Sequence, residues 1–93
     1  MTAIFQPIIY DLTEYIDNAL MDGRPHIRDR RMPVYMIALY ATSHKLSIPE
    51  LADTFTLSEL QVLAALLYYE QHKTEIDAQE VALEEQYRHY GEN

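Results

Sequence analysis

Residues 47–66, Ser47-Ile48-Pro49-Glu50-Leu51-Ala52-Asp53-Thr54-Phe55-Thr56-Leu57-Ser58-Glu59-Leu60-Gln61-Val62-Leu63-Ala64-Ala65-Leu66, read as a short helix, a tight turn and a longer helix. Small Ala52 lets the second helix cross closely, Val62 ten residues on is the apolar residue facing it, and Leu51, Phe55 and Leu57 fill the crook. This resembles a helix-turn-helix, with Thr56 standing where such turns often carry glycine.

Outward from this unit, capping boxes mark helix starts, each a side-chain acceptor answered by Glu three residues on. The pairs are Asp11 with Glu14, Ser47 with Glu50, Thr56 with Glu59 and Asp77 with Glu80. Apolar staples bracket each pair, as Leu46 and Leu51 do around Ser47. Helices are predicted at about 12–21, 48–54, 57–72 and 78–90, with Gly23 stopping the first in a left-handed conformation. A fifth begins near Pro33 and runs to about His44, with Val34, Ile37, Ala38 and Ala41 on one face. Between Gly23 and Pro33, two prolines bias residues 24–32 to extended backbone, so a short β-hairpin or paired strand leaning on the helices is expected there. The fold class is therefore mainly all-α: a helix-turn-helix-like three-helix core, a short N-terminal strand or hairpin, and extra N- and C-terminal helices. The last residues, from Gly91, are expected to fray.

At 93 residues the chain is expected to form a single domain over 1–93, small enough that pairing would add stability. The chain has no cysteine, which removes disulfides, thiolate metal sites and cysteine nucleophiles and fits a cytoplasmic setting. The first 22 residues carry four acids and no Lys or Arg, and no apolar run approaches a membrane span. Net charge is −8, but residues 23–45 sum to +4 between segments of −4 and −8. Arg24, Arg28, Arg30 and Arg31 form the basic patch, and any nucleic acid or other anionic partner is expected there; the alternative is a solvated loop.

The register of residues 57–72 argues against base reading. Ser58, Glu59, Leu60, Leu63, Ala64 and Leu67 would face a groove, yet base edges are read by Arg, Lys, Asn or Gln. The opposite side carries Val62, Leu66 and Tyr69, so the helix is apolar nearly all round. One stripe is expected to pack inward, and Leu60, Leu63, Ala64, Leu67 and Tyr68 to form a homodimer interface. The alternative is that the C-terminal helix folds back over that stripe.

No chemistry of catalysis is legible. His26, His44, His72 and His89 have no metal-ligand spacing, two glycines build no phosphate loop, and Glu84 and Glu85 read as solvated charge. Tyr68, Tyr69, Tyr87 and Tyr90 are interspersed with acids and read as packing rather than stacking platforms. No enzyme, cofactor, metal or small-molecule substrate is expected.

Over residues 11–80 the chain resembles the bacterial domain-of-unknown-function 433 family, whose members look like small VapB-type antitoxins. The resemblance rests on Leu12-Thr13-Glu14-Tyr15-Ile16, Gly23-Arg24-Pro25-His26-Ile27, Arg31-Met32-Pro33-Val34, Ser47 to Ala52, and Leu57 through Ala64 to Tyr69, His72 and Glu75 to Ala78. The family's Gly-Thr-Arg turn appears as Asp29-Arg30-Arg31, with only Arg31 matching. The resemblance implies a helix-turn-helix-like dimer with a neighbouring PIN-like nuclease toxin as partner, silenced by an arginine set among its metal-binding acids. Arg24, Arg28, Arg30, Arg31 and Arg88 are the available arginines. The leading expectation is a non-enzymatic antitoxin-like protein that also touches its promoter. The alternatives are a stand-alone DNA-binding regulator and a dimeric scaffold.

Overall fold

The computed structural model describes residues 12–91. Strands β1 (Ile16–Asp17) and β2 (His26–Ile27) precede helices α1 (Val34–Ser43), α2 (Ile48–Phe55), α3 (Glu59–Gln71) and α4 (Lys73–Gly91). The class read from the sequence, mainly helical with a short antiparallel ribbon near the N-terminus, is the observed one.

The helix expected at 12–21 does not form. A 3-10 turn at Leu12–Glu14 is followed by β1 and a second 3-10 turn at Met21–Gly23. Two local forces break the helix. Ile16 pairs with Ile27 across the ribbon, burying both side chains. Asp17 Oδ1 then accepts the backbone N–H groups of Asn18 (2.7 Å) and Ala19 (3.1 Å), an Asx-type turn that competes with helical hydrogen bonding. Gly23 does take a positive φ of 83°, but it ends a turn rather than a helix. Asp11, the cap expected there, and the tail beyond Gly91 lie outside the described residues.

Of the segment at 24–32, His26–Ile27 form β2, which pairs antiparallel with β1 in the register Ile16–Ile27 and Asp17–His26, and Asp29 takes a left-handed φ of 64° in the turn that follows. Its return is closed by Ile27 N–H to the Met32 carbonyl (2.9 Å) and Val34 N–H to the Pro25 carbonyl (2.9 Å). Two-residue strands are unstable by themselves. This ribbon is held by the apolar contact of Ile16 and Ile27 with the helical core.

Caps decide the helix boundaries. Ser47 and Glu50 form the expected reciprocal box: Glu50 N–H donates to Ser47 Oγ and Ser47 N–H to Glu50 Oε1. At α3 the box is displaced. Ser58 accepts from Gln61 N–H at 3.1 Å, and Gln61 Oε1 accepts Ser58 N–H at 2.8 Å, whereas Thr56 is the left-handed residue that ends α2, at φ 55°. A residue already ending one helix cannot cap the next. Nor does Asp77 open α4. That helix starts at Lys73, directly after His72 breaks α3, and Ile76 N–H donates to the His72 carbonyl at 2.9 Å. Burial of Ile76 favours the early start.

The core joins all these pieces: Ile16 and Ile27 from the ribbon, Val34 and Ile37 from α1, Leu51 and Ala52 from α2, Val62 and Ala65 from α3, and Ile76 from α4. Leu57 lies in the crook as expected. Phe55 is half-buried and meets Tyr40 edge to face, with ring centroids 5.1 Å apart.

Candidate functional site

The basic patch is largely consumed inside the molecule. Arg24 Nη2 donates to Glu80 on α4, a pair joining residues 56 positions apart, with side chains 24% and 13% exposed. Arg28 donates from Nε (3.0 Å) and Nη2 (2.6 Å) to the Thr13 carbonyl and from Nη1 to Asp17 Oδ2 (3.2 Å), bracing the ribbon. Arg30 reaches the end of α2, donating to the carbonyls of Thr56 (2.9 Å) and Phe55 (3.1 Å). A cation there satisfies carbonyls that a helix C-terminus leaves open and faces the negative end of the dipole. Arg31 is exposed and makes no hydrogen bond or ion pair among the described residues. Arg88 is exposed, 3.7 Å from Glu84 one helical turn away. The four hairpin arginines thus sit near one another in sequence, but Arg24, Arg28 and Arg30 each reach a different anchor and Arg31 reaches none among the described residues.

The outer face of α3 is different in kind. Leu60 is 61% exposed and Leu63 41%, with Leu67 half-buried one turn further on. Ala64 belongs to the chain's own core at 4% exposure, so it does not share that outer stripe. Tyr68 is half-buried and stacks on His72, ring centroids 4.1 Å apart. Helix α4 does not fold back over Leu60 and Leu63, which remain open.

A third surface was not anticipated. Between α1 and α4 runs a groove of about 420 Å³, with Leu39 and Val81 among its walls. At its edge the Tyr69 hydroxyl donates to Asp77 at 2.7 Å. Burial, reinforced by the carboxylate beside it, pushes the Tyr69 phenol up to about 12. The sequence did hold a signal: Tyr35, Leu39 and Thr42 share the side of α1 left over once Val34, Ile37 and Ala41 face the core. Elsewhere, Asp17 is held below the usual carboxylate range by the Asn18 N–H, and Glu50 by the Ser47 N–H.

His26 also escaped the sequence reading as a core residue. It is fully buried, and Nδ1 lies 2.7 Å from the Arg24 carbonyl. A carbonyl can only accept, so Nδ1 carries the proton; Nε2 is buried without a partner among the described residues. Among the described residues no three histidines or carboxylates are grouped to hold a metal ion, and no helix is long and apolar enough to cross a membrane.

The ribbon, α1, α2 and most of α3 are also the part of the chain with relatives. A family described as "Protein of unknown function (DUF433)" matches residues 15–69, more than half of the 93. The chain belongs to this family. Neither a curated protein nor a solved structure matches it. The DUF433 segment contains all four hairpin arginines and the leucine stripe, and it stops before α4. The groove is therefore built half from DUF433 sequence and half from the helix that follows it.

Proposed function

We propose that this DUF433 protein is a non-enzymatic, antitoxin-like binding module of the VapB kind, acting as a homodimer on a PIN-like nuclease partner in the cytoplasm. The observation that carries the reading is the leucine stripe of α3. Leu60 and Leu63 stand in solvent on a molecule whose core is otherwise complete, and Leu67 continues their row at helical spacing. An apolar row on a rigid helix marks an association surface. A two-fold dimer would pair the row with itself, since an isologous contact uses the same patch twice. The nuclease partner rests on the family resemblance. Arg31, exposed and unengaged among the described residues, is the hairpin arginine best disposed to enter an acidic metal cleft.

Promoter binding is the weaker reading. Arg24, Arg28 and Arg30 are tied to the chain's own acceptors, and Leu60 and Leu63 offer bases no hydrogen bonds.

Sedimentation of wild type and of Leu60→Glu/Leu63→Glu tests the dimer. The wild type is expected at twice 10.9 kDa and the variant as a folded monomer. Co-expression with a neighbouring PIN-like reading frame tests the partner, with inhibition of its ribonuclease lost on Arg31→Ala. A wild type that sediments as a monomer at micromolar concentration refutes the dimer, and a nuclease left fully active refutes the antitoxin reading.

A further inference from the structure

The groove between α1 and α4 is made from one face of each helix. Tyr35, Ala38, Leu39 and Thr42 line it from α1, and Asp77, Glu80, Val81 and Glu84 from α4. Both sets follow the i, i+3, i+4, i+7 spacing of a single helical face. Glu70, at the end of α3, adds to the rim. Together the two faces, with small, buried Ala38 among their residues, line a slot into which the ridge of a third helix can be laid.

We propose that this groove docks a basic amphipathic helix of a partner protein, its apolar stripe against Ala38, Leu39 and Val81 and its Lys or Arg side chains along the α4 flank. The apolar part is supplied by Leu39, 39% exposed, and Val81, 56% exposed, which line one groove from α1 and from α4. Scattered exposed apolar residues are ordinary, but two that line the same groove from different helices suit anchors of the helix-in-groove kind. Charge sets the identity of the occupant. The lining holds four carboxylates, Glu70, Asp77, Glu80 and Glu84, and one base, Lys73. Asp77 is engaged by Tyr69 and Glu80 by Arg24, while among the described residues Glu84 has only Arg88 at 3.7 Å and Glu70 is exposed. The flank toward α4 and the end of α3 is therefore anionic, and the α1 flank is neutral.

A second copy of this chain is a poor occupant. Helices α1, α2 and α3 contain no Lys or Arg, and α4 carries Lys73 and Arg88 among five acids. Any of its own helices would set acids against acids or leave the rim unanswered. The occupant is thus a foreign helix with bases at one edge of its apolar stripe. The assignment is independent of the nuclease reading and of the leucine stripe, which lies on α3.

The test uses the full chain and a fluorescein-labelled peptide of about five helical turns, with leucines at i, i+3, i+4 and i+7 and lysines along one flank. A second peptide carries glutamate at every lysine position. Anisotropy is expected to give at least tenfold tighter binding of the basic peptide, with amide shifts confined to α1, α4 and the end of α3. Leu39→Gln and Val81→Gln, both at exposed positions, should each weaken it several-fold, Glu70→Lys/Glu84→Lys should invert the preference, and Leu60→Gln on α3 should change nothing. Circular dichroism confirms that each variant is folded. The proposal is overturned if the basic peptide fails to bind at millimolar concentration, if both peptides bind equally, if the inverted variant still prefers the basic one, or if the shifts fall elsewhere. It is equally overturned if Leu39→Gln and Val81→Gln turn a dimer into a monomer in the centrifuge, since a second copy would then fill the groove.

Discussion

Replacing Thr56 with glycine should stabilise the protein, although the change removes a side chain and adds no contact. Thr56 sits at φ 55° and ψ 53° as the residue that caps the C-terminus of α2, and its N–H closes the helix on the Ala52 carbonyl. An L-residue in this left-handed region costs about 1–2 kcal/mol, and a branched Cβ lies at the expensive end. Glycine removes that cost and loses about 0.5–1 kcal/mol to the greater freedom of its unfolded chain. The Thr56 side chain is exposed and makes no hydrogen bond among the described residues, so nothing else is forfeited. The net gain is about 0.5–1 kcal/mol, a rise of roughly 3–6 °C in Tm for a domain of this size. Urea unfolding and thermal circular dichroism, both at one fixed protein concentration because self-association shifts apparent stability, measure it. Thr56→Val serves as the companion, keeping the branch and deleting the hydroxyl, and should be neutral. A Thr56→Gly protein no more stable than wild type, with Thr56→Val clearly destabilised, would show that the hydroxyl rather than the backbone sets the energetics of this turn.

Ser47→Ala and Ser58→Ala should each cost about 1 kcal/mol in urea, since each Oγ accepts an otherwise open N–H. The folded Glu50 carboxyl lies below its ordinary range, so its contribution is present above that range and fades as pH falls through the lowered value. Ser47→Ala should therefore also flatten the acid limb of the stability curve. At the alkaline end, unfolded tyrosine ionises near 10 while folded Tyr69 holds its proton to about 12, so stability declines across that window. Denaturation of Tyr69→Phe should show a shallower decline, and an unchanged slope would remove Tyr69 from the account. Arg24→Ala should cost about 1–3 kcal/mol, between exposed and buried ion pairs, because Glu80 is left largely covered and unpaired. Hydrogen exchange should then quicken in α4 first, and uniform exchange would argue against the pair as the tie holding that helix.

The pair of helices α2 and α3 was legible because its signals are local. Ala52, Val62, Leu51 and Leu57 occupy their expected places, and the Ser47 box forms as read. The errors arose where two local signals competed. Thr56 and Ser58 both offer a cap, and the left-handed backbone at Thr56 settles the choice in favour of Ser58. Residues 12–21 carry a helical pattern, but a cross-strand partner 11 positions along, Ile27, captures Ile16. Such a pairing has no signature in a short window. The arginines show the same limit for the site. Composition located the positive charge in the hairpin but not its destinations, Glu80, Thr13, Asp17 and the carbonyls of α2, all of which lie at other places in the chain. Only one wall of the groove, the leftover face of α1, had a local signal, because α2 and α3 separate it in sequence from the wall on α4.

The reach of Arg30 to the Phe55 and Thr56 carbonyls has a kinetic side. It fastens positions 25 and 26 residues apart, enclosing α1 and nearly all of α2 in one loop. Such a clasp needs α2 formed and the hairpin placed against its end, which suits a contact made late in folding. Interactions made after the rate-limiting barrier leave the folding rate alone and slow the return. Arg30→Ala is therefore expected to raise the unfolding rate and leave the folding rate unchanged in stopped-flow experiments. Because closure entropy rises only slowly with loop length, about 0.6 kcal/mol per doubling, the exposed link between α1 and α2 should accept inserted residues without opening that clasp.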